Sequence, residues 1–469
     1  MSTPDNKLES IFGAESSGTT AEERARSSKR IFVRSQDELS ICREGAQGRQ
    51  LSAWEALQTF RLDVLEKAFF DGTAILVESK EEPARTFKAR REALGLTDED
   101  ISNALGLPVD QINTIENPKK RNPIRDLELV AQYLGLDERK IAFQGGLKGD
   151  NPLALRLKTL REERNLNSKT VISFSEAAWL IAIEDRLREW LKIKRNEAVS
   201  KFLPNDDLGD ASYRAWQIGY DLAEKTRDKL GIAQDAPISS LRELCIDKLA
   251  LPVIQSELPD SIAGATVANN ELRGIVVNIS GRNENVWIRR ATIAHELGHL
   301  LWDPDQNLER IRVDQYDEID KAWSSDIGID YVEQRANAFA AEFLAPQRVA
   351  AKIYKKEGSL RAVMENFGVS FTLARYQVWN GLYRTEDLDS FVAENTDPTD
   401  EWKGRESFTT DYFPIESVPI SRRGFFAGVV VLAEQENLIS KDTAMQYLRC
   451  SEDEYNASKD SIPGLFDLT

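Results

Sequence analysis

Two histidines occur in the 469 residues, and they stand four apart, in Ala294-His295-Glu296-Leu297-Gly298-His299-Leu300. On a helix, positions i and i+4 share one face. Two neutral imidazoles on one face make half of a tetrahedral zinc site, and the glutamate after the first can serve as general base on water at the ion. The plain alternative is two helix-face histidines that are neighbours by chance. If the pair does hold an ion, the fold must bring up a second element carrying a third ligand, and one position must stay open for water.

No histidine remains for that third position, so it falls to a carboxylate or a cysteine. Glu333 is the best candidate. It opens Glu333-Gln334-Arg335-Ala336-Asn337-Ala338-Phe339-Ala340-Ala341-Glu342-Phe343-Leu344-Ala345-Pro346, which reads as a helix with small residues on one side, stopping before Pro346. Small residues allow close packing on the histidine helix. Asp303 is a rival, four residues after His299, and Glu342 is a weaker one. Taken alone, Glu333 could equally be a solvated helix-start glutamate.

The segments "TIAHELGHLLW" (292–302) and "EQRANAFAAEFLAP" (333–346) together resemble the ImmA/IrrE family of zinc metallopeptidases. Further points of likeness are "APISSLRELCIDKLALPV" (236–253), "RGIVVNIS" (273–280) and "FGVSFTLARYQVWNGL" (367–382). The resemblance implies a zincin-like fold with zinc (Zn2+) as cofactor. It implies His295, His299 and Glu333 as zinc ligands and Glu296 as catalytic base. The acidic stretch between Leu301 and Tyr331 is longer than the family leads one to expect.

The bulk numbers fit a soluble protein of several domains. The apolar fraction is 41% and the charged fraction 30%, both ordinary. The polar start and the absence of a long apolar run predict no signal peptide and no membrane partner. Cys42, Cys245 and Cys450 are far apart and form no pair motif, as expected of reduced thiols in a cytoplasmic protein. A net charge of −17 argues against general polyanion binding, though it leaves room for one small DNA-reading module.

Along the chain, residues 1–83 read as an N-terminal region, disordered over 1–30, with a short strand at Ile31-Phe32-Val33, a helix over 51–70 and a strand at 73–77. Residues 84–143 read as a compact all-α unit. Thr97 to Asp100 approximates a capping box, and Gly95 and Gly106 sit where helices must turn. This unit resembles the helix-turn-helix of the Xre/Cro repressor family, with a recognition helix near 109–116. The resemblance implies double-stranded DNA as partner. Gln111, Asn113 and Thr114 would face the major groove, and Lys119, Lys120 and Arg121 would grip the backbone. Against this, residues 84–143 carry as many acidic as basic side chains, and Asp110 lies on the presumed reading helix.

Residues 144–210 read as a helical connector, and 211–390 as the HExxH metallopeptidase domain, with helices at 212–229 and 238–249 and strands at 253–254 and 275–279. A strand before the active helix could hold an extended substrate as an added strand. Arg289 and Arg290 could orient substrate or be solvated. Residues 391–469 read as a linker followed by a helical tail packed back on the peptidase. The fold class is therefore mainly α, with a small α+β zincin-like metallopeptidase domain and an N-terminal all-α helix-turn-helix domain.

The leading functional expectation is a zinc-dependent endopeptidase coupled to a DNA-binding regulator module. It would cleave a repressor-type protein, or itself within 144–210, in stress response, mobile-element control or phage defence. The alternative is a non-proteolytic DNA-binding regulator or antitoxin-like component using the zinc fold as a sensor. Either reading is compatible with a homodimer.

Overall fold

In the computed structural model of the protein, the residues described are 4–43, 47–77, 79–141, 143, 157, 165–195, 214–269, 272–303, 312–315, 331–392, 395–411 and 413–466. They form two compact units, Met1–Ile193 with Phe413–Thr469, and Lys194–Tyr412. Both are mainly helical, and each contains one four-stranded sheet. No described helix is long and apolar enough to cross a membrane.

The first unit opens with α1 (Pro4–Phe12) and α2 (Ala21–Ser27), where the composition predicts disorder. A few anchors suffice because they are well placed. Ile11 and Phe12 are fully buried, the Thr20 and Glu23 side chains cap α2 reciprocally, and both helices lie against α3. Strands β1 (Ile31–Arg34), β2 (Glu38–Ile41) and β3 (Arg49–Ser52), helix α3 (Ala53–Phe70) and strand β4 (Thr73–Ile75) follow. The sheet runs β3-β1-β2-β4, all antiparallel. The next four helices are α4 (Ala84–Ala93), α5 (Asp98–Leu105), α6 (Val109–Ile115) and α7 (Ile124–Tyr133). Thr97 and Asp100 make the expected reciprocal cap, and Gly106 ends α5 at φ +69°. Helix α8 (Ser168–Leu191) is buried along most of its length and packs on α7. This part of the expected helical connector is packed into the core of the unit. Within the same connector the sequence pattern predicts a helix over 153–165 and a loop over 203–209, which lie outside the described residues apart from Leu157 and Asn165.

The second unit contains α9 (Ala215–Leu230), α10 (Leu241–Leu249), β5 (Val253–Ser256), β6 (Ile262–Asn269), β7 (Leu272–Asn278), α11 (Val286–Trp302), β8 (Arg312–Gln315) and α12 (Tyr331–Leu344). It continues with α13 (Gln347–Glu357), α14 (Leu360–Phe367), α15 (Phe371–Gly381) and α16 (Asp400–Asp411). The sheet order is β5-β7-β6-β8, with β5 parallel to β7 and the other pairs antiparallel. Its core joins α11, α12, β7 and the helices after them through Trp287, Leu297, Phe339, Phe343 and Phe367. Residues 395–413, polar enough to read as a linker, instead hold α16. Trp402 and Glu406, four apart, turn inward together. Trp402 Nε1 donates to the Glu365 carbonyl at 2.8 Å, and Glu406 accepts from the Leu241 amide at 2.7 Å.

Helices α17 (Phe425–Gln435), α18 (Lys441–Leu448) and α19 (Glu452–Ser458) return the chain to the first unit. The expected packing of this tail on the peptidase core is therefore corrected: it closes the N-terminal unit. The reason is a buried ionic knot. The Arg49 guanidinium lies between Glu128 Oε1 (2.7 Å), Glu55 Oε1 (3.2 Å) and Thr443 Oγ1 (2.7 Å). Arg34, also buried, donates to the carbonyls of Glu138 (2.7 Å) and Ile141 (2.9 Å). Asp442 accepts from the Gln50 amide at 2.9 Å, and Ser52 Oγ donates to the Leu438 carbonyl at 3.0 Å. Burial pushes the Glu128 and Glu55 carboxyls up, and Arg49 opposes that shift. Removing one partner leaves charge stranded in the core. Arg49→Met is therefore expected to cost about 3–5 kcal/mol of stability, read by urea denaturation of the whole chain. A loss below about 1 kcal/mol, the range of an exposed pair, would mean the knot does not hold the unit together.

Candidate metal centre

Helix α11 begins at Asn285, whose side chain accepts from the Trp287 amide at 3.0 Å. Nearly the whole helix is buried, so its polar side chains must find partners inside the protein. Arg289 and Arg290 do so and are buried rather than solvated. Arg289 Nε donates to the Asn283 carbonyl at 2.9 Å. Arg290 donates to the carbonyls of Gly368 (2.9 Å) and Ile238 (2.6 Å) and pairs with Glu406. The two arginines clamp the active helix to the surrounding loops. The sequence shows their charge but not the buried carbonyls that receive it.

His295 and His299 project from one face of α11, and α12 lays Glu333 against them. The His295 and His299 Nε2 atoms are 3.0 Å apart. Glu333 Oε2 is 3.1 Å from His295 Nε2, and Oε1 is 3.7 Å from His299 Nε2. All three side chains are buried. Donors at the vertices of a zinc tetrahedron with bonds of about 2.0–2.1 Å should lie about 3.3 Å apart, and the three spacings bracket that value. The far side of each ring is also occupied. Asn337 Oδ1 lies 2.8 Å from His295 Nδ1, and Asp303 Oδ2 lies 2.8 Å from His299 Nδ1. An amide oxygen and a carboxylate only accept, so both Nδ1 atoms donate and each Nε2 presents a lone pair inward. Three lone-pair donors converging on one point repel one another unless a cation sits among them. The donor set thus fits a divalent ion, and its N/N/O character favours zinc.

Glu296 is buried beside this cluster, under strand β6. A β-carbon added at Gly264 would lie 2.9 Å from Glu296 Oε1 and 2.9 Å from Thr292 Cγ2. Only glycine lets the strand approach the carboxylate this closely. Asn283 fixes the approach, donating to the Ala263 carbonyl at 2.9 Å and sitting 3.2 Å from Thr292 Oγ1. A second close approach brings α12 to α11: a β-carbon at Gly298 would come within 2.8 Å of the Phe339 ring.

The rival carboxylates occupy other posts. Asp303 stands behind His299 and is itself paired with Arg335. Glu342 lies further along α12, accepting from Gln377 Nε2 (2.9 Å) and the Gln347 amide (3.1 Å). Sequence reasoning missed Asn337 and Arg335. The signal was present in the spacing: Asn337 is one turn after Glu333 and so shares its face. Of the three tyrosines that could assist, Tyr316 lies outside the described residues, Tyr331 is half exposed two residues before Glu333, and Tyr376 lies in α15, half-buried.

In the first unit, Gln111 donates to Asp126 Oδ2 at 2.6 Å, and Thr114 Oγ1 donates to the Gln111 carbonyl at 2.7 Å. Asn113, Lys119, Lys120 and Arg121 are exposed, with Arg121 lying 3.3 Å from Asp37. The six residues expected to meet DNA thus divide into an exposed set and a pair tied up locally.

Residues 282–378 match the model of a peptidase family, Peptidase_M78, described as the IrrE N-terminal-like domain. The match starts just before α11 and ends within α15. It supports the ImmA/IrrE resemblance for this stretch and points to a metallopeptidase-like domain. No curated protein matches the chain.

Two outcomes follow from this packing. Gly264→Ala should displace the Glu296 carboxylate while leaving the imidazoles in place, so metal content stays at the wild-type level and any peptidase activity falls at least tenfold. Loss of metal in that variant would refute the separation. Burial raises the Glu342 carboxyl to about 7, against the hydrogen bonds from Gln347 and Gln377 that lower it. The native state then keeps a proton that the unfolded chain releases, so this contribution is full below pH about 4.5 and is lost as pH rises through about 7. Glu342→Gln mimics the protonated form. It should flatten that dependence and be more stable than wild type at pH 8, by up to about 3 kcal/mol, in denaturant titrations across pH 4.5–8. Equal slopes for the two proteins would rule this out.

Proposed function

We propose that Lys194–Tyr412 is a metal-dependent endopeptidase, with His295, His299 and Glu333 holding zinc and Glu296 as the catalytic base. The observation that carries the reading is the convergence of two Nε2 atoms and a carboxylate at 3.0–3.7 Å, with both Nδ1 atoms held from behind. When bound there, a divalent ion supplies Lewis acidity toward the scissile carbonyl and acidifies water. Glu296, one residue from His295 and buried against β6, takes the proton of the attacking water and passes it to the leaving amine. Asn337 and Asp303 hold the imidazole tautomers and ring planes, and Arg335 balances the Asp303 charge.

A repressor-type protein as substrate is what the family likeness adds to this proposal. For the first unit, a DNA-reading role rests on the order of α4–α7 and on exposed Asn113, Lys119 and Lys120. Gln111, engaged with Asp126, would have to exchange that bond for a base edge.

Elemental mass spectrometry on protein purified without added metal tests the site. About one zinc per chain is expected in wild type and in Glu296→Gln, and under a tenth of that in His295→Ala and Glu333→Ala. Cleavage of fluorescein-labelled casein should fall at least about 100-fold in Glu296→Gln. A wild-type chain that takes up no metal even when zinc is offered would overturn the proposal in favour of a non-proteolytic regulator.

A further inference from the structure

Strand β6 forms the wall of the candidate site, and its outer edge is where strand addition would seat an extended peptide beside Glu296. That edge is not open in this chain. Strand β8, from the acidic stretch between α11 and α12, is hydrogen-bonded along it as the terminal strand of the sheet. The pairing is antiparallel, with Thr266 opposite Arg312, Ala265 opposite Val313 and Gly264 opposite Asp314. Gly264 packs against Glu296, so β8 pairs with β6 at a residue that lies on the carboxylate. The ladder shifts register between Ile262 and Gly264, and such bulges are over-represented beside active sites.

Resting on the metallopeptidase reading, we propose that β8 is an intrachain occupant of the substrate edge, and that Arg312-Val313-Asp314-Gln315 keeps the peptidase latent until an extended polypeptide displaces it. Two observations favour a displaceable occupant over a permanent sheet member. The strand is four residues long and has no partner on its far side among the described strands. It belongs to a stretch rich in Asp and Glu, an unusual composition for a strand meant to stay in a sheet. As a tethered segment, β8 competes at an effective concentration in roughly the millimolar range. A substrate must therefore match β6 over a longer span or bind side-chain pockets as well. The predicted substrate class is an unfolded or loop segment able to run antiparallel to β6 for at least as many residues as β8 does.

The test uses the full-length chain carrying Val313→Pro and Asp314→Pro, which removes two backbone donors from β8. A synthetic peptide of residues 308–319 serves as probe, followed by fluorescence anisotropy. The variant should bind the peptide at least tenfold more tightly than wild type and cleave fluorescein-casein at least tenfold faster, with zinc content unchanged. A second variant works in the opposite direction. Thr266→Cys with Arg312→Cys, oxidised, should lock β8 in place and suppress cleavage, and a reductant should restore it. If zinc is bound but the proline variant and the oxidised lock both cleave and bind like wild type, β8 is an ordinary sheet strand and the inference is wrong. If no variant binds zinc, the metallopeptidase reading itself has failed.

Discussion

The candidate site depends on how closely two helices approach. Glu333 reaches the histidines because α12 can lie almost in contact with α11, and that approach is set where Gly298 receives the Phe339 ring. Any larger residue at 298 would push the helices apart, and the donor spacings of 3.0–3.7 Å tolerate little movement. The packing is apolar and non-directional, whereas the site needs directional control. Asn337 supplies it from α12 and Asp303 from the end of α11, each fixing one ring from behind. Hydrophobic contact thus sets the distance, and two hydrogen bonds set the orientation.

The sheet supplies the other wall by the same logic. Gly264 lets the β6 backbone lie against Glu296, and Asn283 and Thr292 tie the strand to the helix. Strand β8, from the acidic stretch after α11, pairs with β6 at Gly264.

The other unit solves a different problem. Arg34 and Arg49 are fully buried charges that no single neighbouring segment could satisfy. Their partners come from α3, from α7 and the turn after it, and, for Arg49, from Thr443 in α18. Segments near both ends of the chain are thereby drawn into one core. The cost of leaving any of these charges unpaired gives a physical reason for the C-terminal helices to pack here rather than on Lys194–Tyr412.

What the sequence determined by itself was local. The i, i+4 spacing puts His295 and His299 on one helix face whatever surrounds the helix, and the Thr97–Asp100 cap follows from residue types three apart. Glu333 could be ranked first because its helix carries a small-residue face, with Asp303 a rival on the histidine face and Glu342 a weaker one. Only the crossing of α11 and α12 separated the three, as ligand candidate, ring support and buried acid. The same holds for the readings that changed. The helices at the N-terminus, α16 in place of a linker and the buried posts of Arg289 and Arg290 all depend on partners distant in the chain. Such partners leave no periodicity in the segment itself. A polar or charged stretch reads as solvated until the fold shows which carbonyl or carboxylate it meets, because burial is a property of the assembled core and not of the residue.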